Sequence, residues 1–405
     1  MCQHNLSRNS DRLLQFHALF LLAYMFSLVY MYRALSTETT RLLPAGKEGM
    51  NDTTSQSPPN FPDRNRSMLI HENELNYVFI GGFPGSGTTL LRVMLGSHPM
   101  VHCERETRIL PWFLGQIQRK YYTKITHEGK EEALDSDSIT RVYSKRLMNA
   151  GIPESLMQQA VKSFLDTIIQ GQGERRIMKQ QQQQQQSSQF LCSKDPFIMN
   201  HMREIVEIYG GGRERGGETR KSRARFIHII RDGRAVVSSL QRRKVTIKDV
   251  NTTDYGQMFD TWRRFTMRSY RKCEHFGKDV CISLRYERLI LHTEEILRKL
   301  TKFLGISFDR QMMHHEGLVG EGRHDRVPVS QTEKSTDDVK QAIYNNSLTN
   351  WLGRTADASA TSSLTTLSNN SNEDIITTLQ YFGYPVSPSQ LESPEAYLKA
   401  LEDGI

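Results

Sequence analysis

Two stretches of the chain have the residue types and spacing to handle an anion. The first is GGFPGSGTTLL, Gly81 to Leu91, directly after the apolar run YVFI. Gly82 to Thr89 follows the spacing G-x-x-x-x-G-x-T of a phosphate loop between a strand and a helix. Backbone N–H groups in such a turn, with a helix N-terminus behind them, form an oxyanion site. Ser86, Thr88 and Thr89 add hydroxyl donors. A nucleotide kinase places a lysine where this chain has Thr88, so phosphoryl transfer from ATP-Mg²⁺ fits poorly. The second stretch is RDGRAVVSS, in which Arg231 closes an apolar run at 226–230 and Ser239 lies two helical turns further on. A guanidinium matches phosphate oxygens in a bidentate fork. Alone, each stretch also reads as an ordinary turn, the second as a surface Arg-Asp pair. Together, two phosphate sites on one sheet suit a nucleotide carrying both 3′ and 5′ phosphates.

The elements that must position these residues alternate in type. YVFIGG leads into TLLRVML, FIHII into AVVSSL, and VCISLRYERL into EEILRKLTKFLGI. In the last, Ile296, Leu297, Leu300, Phe303 and Leu304 share one helical face. Strand–helix alternation argues for an α/β domain with a mainly parallel sheet, whose ligands sit at the carboxyl ends of the strands. Two low-complexity stretches, 178–189 and 210–225, and a Ser/Thr/Asn-rich one at 357–373 read as solvated loops. The segment after LQYFGYP reads as a tail.

The chain has 405 residues, 37% of them hydrophobic, and a net charge of +8, which favours an anionic ligand or partner. Residues 13–32 carry no formal charge and are long enough to cross a bilayer, with a cleaved signal peptide ending near 34–36 as the alternative. Cys2 precedes this span, and Cys103, Cys192, Cys273 and Cys281 follow it, an even number that suits two bridges in an oxidising lumen. Glycosylation triplets at Asn51, Asn65, Asn251, Asn345 and Asn369 point the same way. The expected layout is a cytosolic tail (1–12), a membrane anchor (13–32), a flexible stem (33–74), a lumenal domain (75–385) and a C-terminal tail (386–405).

GGFPGSGTTLLR, CERETRILP, CSKDPF, RDGRAVVSS, RRKVT, RYERL, LILHTEEILRKLTKFLGI and EKSTDDV, in that order, resemble the Golgi protein-tyrosine sulfotransferases. The resemblance covers roughly residues 77–385. It implies a P-loop-like sulfotransferase fold, α/β with a mainly parallel central sheet flanked by helices, in a single catalytic domain behind the anchor. It also implies 3′-phosphoadenosine 5′-phosphosulfate (PAPS) as co-substrate, with no obligatory metal. The implied enzyme is a homodimeric type II Golgi membrane protein that sulfates tyrosines in acidic segments of secretory and membrane proteins, with no nucleic acid partner. Glu106 would be the general base that a phenol of pKa near ~10 requires. Lys194 would contact the bridging oxygen and leaving group. Gly85, Ser86, Gly87, Thr88 and Thr89 would hold the 5′ phosphosulfate, Arg231, Ser239 and Arg243 the 3′ phosphate, and Tyr286 would lie at the nucleotide. Residues 326–335 resemble a loop that closes over the donor, with Ser330 its catalytic hydroxyl and Lys334, Ser335 and Lys340 further donor contacts. Thr107 and Arg108 would meet the acceptor. The resemblance pairs Cys103 with Cys192 and Cys273 with Cys281, and leaves Asn251 and Asn345 as glycan sites.

Three positions depart from the family pattern. Gly85 stands where a catalytic arginine is expected, Trp112 where an arginine binds acidic substrate, and Gln341 where a lysine is expected, with Lys340 beside it. If only a charge is missing at position 85, Gly85→Arg should raise turnover more than donor affinity. If the glycine serves its backbone, arginine and alanine should both do harm. A carbohydrate sulfotransferase of the same fold and a donor-binding pseudoenzyme are the rival readings.

Overall fold

The computed structural model describes residues 76–121, 124–125, 131–132, 149–182, 190–210, 222–247, 250–320, 327–330, 333–352 and 371–403. Cys2, the anchor at 13–32, the stem at 33–74, Asn51, Asn65 and Asn369 lie outside them, as do 183–189 and 211–221 of the low-complexity stretches.

Five strands form one parallel sheet: β1 (Asn76–Gly81), β2 (Val101–Cys103), β3 (Phe190–Lys194), β4 (Ala224–Ile230) and β5 (Cys281–Arg285). Their order across the sheet is β2-β3-β1-β4-β5. The chain places β2 and β3 on one side of β1 and then crosses to β4 and β5 on the other. The crevice at a reversal of this kind opens at the carboxyl end of the central strand. The loop Gly81–Leu91 begins there.

Both faces of the sheet are covered, so the strands read as near-continuous apolar runs. Tyr77, Phe79 and Phe226 join a core that includes Trp262. Val78, Ile80, Ile227 and Ile229 join another with Leu91, Leu297 and Leu300. The first core is covered by α3 (Glu154–Gln182), α4 (Gly233–Arg242) and α5 (Tyr255–Phe276), the second by α1 (Thr88–Gly96) and α6 (Thr293–Leu304). The helix α2 (Ile109–Tyr121) follows β2. On α3, Val161, Leu165 and Ile169 are spaced by four and buried, while Asp166 accepts hydrogen bonds from Tyr77 (2.8 Å) and Tyr209 (2.9 Å).

Two expectations about loops and tails change. The helix α3 runs through Gln182, so the first part of the 178–189 stretch is helical, as suits glutamine's good helix propensity. The segment 386–403 is not a free tail. It forms two helices, and on the second, α7 (Pro394–Asp403), Tyr397 and Leu401 are fully buried. Similarly, the strand β4 occupies the end of 210–225, and a helix, Ser371–Tyr381, begins within 357–373.

Both expected disulfides are present. Cys273–Cys281 joins the end of α5 to the start of β5. Cys103–Cys192 joins two residues paired directly across the parallel strands β2 and β3.

Candidate active site

The phosphate loop is shaped by glycines whose roles differ. At Gly82 a Cβ would lie 2.4 Å from the Ile229 carbonyl oxygen, so only glycine lets the loop lie against β4. Gly87 has φ +98, and a Cβ there would fall 2.3 Å from the Tyr286 ring. Gly85 has φ +88, in the region that favours glycine, and its carbonyl accepts a hydrogen bond from Arg231 at 3.1 Å. Thr88 and Thr89 open α1 and are both buried.

The next group comes from three other elements. Lys194 ends β3, opposite Ile80 of β1, so its side chain reaches the loop from the neighbouring strand. Its ammonium is buried and donates to the Glu106 carboxylate, to Thr89 Oγ1 (3.1 Å) and to Glu333 Oε2 (3.0 Å). Glu106 lies three residues past Cys103. Its other oxygen accepts from Arg108 Nε at 2.7 Å, and that bond raises the guanidinium's pKa. Arg108 has φ +58, uncommon for a non-glycine residue, and its side chain is 75% exposed. Exposed Thr107 accepts the Ile109 N–H at 3.4 Å at the start of α2. Beside Lys194, Asp195 is buried, and burial first, then the Glu106 charge, pushes its carboxyl up to about 7.

Glu333 is the centre of a third layer. Thr89 Oγ1 donates to it at 3.1 Å and the Glu106 N–H at 3.3 Å, and Arg92 lies 3.8 Å away. Burial opposes its charge, but Lys194 and Arg92 outweigh burial and hold the carboxyl below its ordinary range. Arg92 is fully buried on α1 and also donates to the Glu104 and Pro328 carbonyls at 3.1 and 2.7 Å.

A cleft with about 600 Å³ of empty space, its open mouth included, runs from Thr88 and Thr89 past Arg231, Tyr286 and Arg243 to Tyr344. Arg231 lies over the Tyr286 ring at 4.4 Å and donates to the Ser347 carbonyl at 2.5 Å. Arg243 pairs with Asp338 at 2.5 Å, and burial lowers its pKa against that partner. Ser86 Oγ, Ser239 Oγ and Arg231 Nε are buried without a hydrogen-bond partner. Of these three residues Arg231 lines the cleft, and an unpaired buried polar atom carries a desolvation cost that a bound anion would reduce.

The expected site residues are thus partly gathered. Gly85, Gly87, Thr88, Thr89, Arg231, Arg243, Tyr286 and Ser335 line the cleft. Ser239 sits one turn before Arg243 on α4, its carbonyl accepting the Arg243 N–H at 3.1 Å. Ser330 is half-buried, and its carbonyl accepts from Glu333 N and Thr336 Oγ1. Ser335 donates to Thr89 Oγ1 at 2.9 Å. Lys334 instead caps the end of α4, donating to the carbonyls of Arg243 and Lys244 at 2.9 and 2.8 Å. Of the two neighbours at the expected lysine, Gln341 lines the cleft, while Lys340 pairs with Asp337 at 2.9 Å on the surface. Nor is there an Arg231–Asp232 surface pair. Asp232 is fully buried and binds Arg234 and the Tyr397 hydroxyl, which braces the strand end that carries Arg231. Trp112, at the departure on α2, is 63% exposed. Sequence reasoning missed Glu333 and Arg92, although both lie in quoted motifs. Nothing in either motif marks them, because both are recruited by partners distant in the chain.

Comparison with known proteins identifies relatives of the chain. Residues 77–310 match the sulfotransferase family. A protein-tyrosine sulfotransferase of Drosophila melanogaster is 32% identical over 292 residues, 72% of this chain and 50% of that protein. Protein-tyrosine sulfotransferase 1 of Danio rerio is 32% identical over 286 residues, 71% of this chain and 68% of the relative. The chain therefore spans about half the length of the fly relative and two thirds of the fish one. Among solved structures, the sulfotransferase domain of a Synechococcus olefin synthase is 20% identical, with a TM-score of 0.45, over 78% of this chain and 97% of that domain. At these identities and spans, the chain belongs to the protein-tyrosine sulfotransferase family.

Proposed function

We propose that this protein transfers a sulfuryl group from PAPS to the hydroxyl of tyrosines in acidic segments of secretory and membrane proteins. The observation that carries this reading is the direct pairing of Glu106 with Lys194 beside Thr89 of the phosphate loop. A base and a cation are thereby held at one point, where an acceptor oxygen and a departing oxygen must both be served. Glu106 takes the phenolic proton as the phenolic oxygen bonds to sulfur. The sulfur–oxygen bond to phosphate breaks with its electron pair on the departing oxygen, to which Lys194 gives a hydrogen bond. Thr88, Thr89 and the backbone of Ser86 and Gly87 hold the 5′ end, and Arg231, Ser239 and Arg243 the 3′ phosphate. Exposed Arg108 suits acidic residues near the acceptor tyrosine.

The remaining expectations belong to this reading. Two disulfides suit an oxidising lumen. Asn251 and Asn345 are exposed, as glycan attachment requires. A type II anchor in the Golgi membrane and a homodimer complete the proposal.

Transfer of labelled sulfate from PAPS to an acidic tyrosine peptide tests it, with a phenylalanine peptide and a glycan as controls. The expected result is label in the tyrosine peptide alone, lost in Glu106→Gln. Label in the glycan would make the protein a carbohydrate sulfotransferase. No label from a chain that binds 3′,5′-ADP would make it a pseudoenzyme.

A further inference from the structure

We propose that Glu333 is a positioning residue for Lys194, keeping the ammonium aimed at the departing oxygen once Glu106 turns to the acceptor. The proposal rests on the sulfuryl-transfer reading above. An ammonium has three N–H donors and no more. Lys194 spends all three, on Thr89 Oγ1, Glu106 and Glu333. During transfer, one donor must pass to the departing oxygen and one carboxylate must take the phenolic proton. Glu106 can do both parts of that exchange: it releases an N–H and accepts the proton. Lys194 keeps its own proton throughout, so charge and atoms balance.

Glu333 is the carboxylate that stays. Its Oε1 faces the Glu106 N–H and Arg92, while Oε2 takes the Lys194 and Thr89 donors. Its segment is pinned on both sides, by Arg92 to Pro328 before it and by Lys334 and Ser335 after it. Glu106 is equally buried, but its carboxylate meets fewer groups, Lys194 and exposed Arg108. The cluster is buried, so its attractions are little screened, and losing one charged partner leaves the others uncompensated.

Glu333→Gln keeps the side chain's size and removes its charge. Turnover should fall about 10- to 100-fold, the scale of a hydrogen bond to a charged group. The acceptor KM and the affinity for 3′,5′-ADP, read by calorimetry, should stay within about twofold. In a Lys194→Met background the same change should cost less than about threefold, because the residue through which Glu333 acts is gone. Thermal unfolding of the ligand-free variants should be non-additive in the same sense. Glu333→Asp, which keeps the charge, should recover part of the loss and remain usable if the glutamine variant folds poorly. Equal losses in both backgrounds, or wild-type turnover in Glu333→Gln, would overturn the role of Glu333 alone. No transfer by the wild-type chain would overturn the sulfuryl-transfer reading, and this proposal with it.

Discussion

Gly85, the departure within the phosphate loop, can be decided by two substitutions. Its φ is +88, and an added Cβ would find Leu240 at 3.5 Å and Val236 at 3.7 Å, ordinary contact distances. Space is therefore available, and the cost of any side chain is in the backbone. Holding an L-residue near the left-handed region costs about 1–2 kcal/mol. Relaxing the loop instead would shift the Gly85 carbonyl away from Arg231, whose guanidinium is proposed to hold the 3′ phosphate. Gly85→Ala and Gly85→Arg should thus lose about the same stability, roughly 1–2 kcal/mol in urea unfolding, and should both lower turnover. The Cβ also points at the apolar side chains of α4, so an arginine stem would start against Val236 and Leu240. Steady-state kinetics on one acidic tyrosine peptide, with unfolding curves for both variants, gives the answer. Faster turnover in the arginine variant, with a defect in the alanine variant, would refute the backbone account and restore the missing charge as the explanation.

Asp195 sets a pH dependence of stability. Its folded pKa is about 7 against an ordinary 3.8, so between those values the folded state binds more protons and stability falls as pH rises. Below that window there is no penalty, and above it the penalty is constant, at most about 4 kcal/mol for a shift of this size. Asp195→Asn should match wild type near pH 4 and exceed it in unfolding midpoint at pH 8; parallel stability–pH curves would show that Asp195 does not titrate there. At the cleft's other end, 3′,5′-ADP should raise the melting temperature more than ADP does, and equal shifts would remove Arg231, Ser239 and Arg243 from a 3′-phosphate role.

What could be read from the sequence was local. GGFPGSGTTLL carries its conformation in its own spacing, and the strands YVFI and FIHII announce buried positions by composition. The helix face at Ile296, Leu297 and Leu300 needs only a period of 3.6. What was hidden depends on distant pairing. Glu333 lies 139 residues from Lys194 and 227 from Glu106, and nothing in EKSTDDV says which acid turns inward. Asp232 reads as a partner for its neighbour Arg231, yet it serves Arg234 and Tyr397, the latter 165 residues away. The helices at 386–403 were missed for the same reason: Tyr397 and Leu401 are apolar surface without a visible counterpart until the strand end they cover is folded. Lys340 and Gln341 show a smaller effect, since a turn over Asp338–Lys340 decides which of two adjacent side chains faces the cleft.

The absence of a lysine at position 88 follows from the sheet. A kinase lysine is carried by the phosphate loop itself, whereas here the cation arrives sideways from β3, where Lys194 pairs with Ile80 of the strand that leads into the loop. Thr88 is then free to be buried as the first residue of α1, and Thr89 becomes the meeting point of Lys194, Glu333 and Ser335. Such an arrangement depends on register. In a strand, side chains alternate between faces, so a slip of one residue would turn Lys194 to the opposite side of the sheet. Cys103 and Cys192 are paired across β2 and β3, with Glu106 three residues beyond one and Lys194 two beyond the other. A covalent link between the two strands therefore holds side by side the segments that carry Glu106 and Lys194, whose side chains pair.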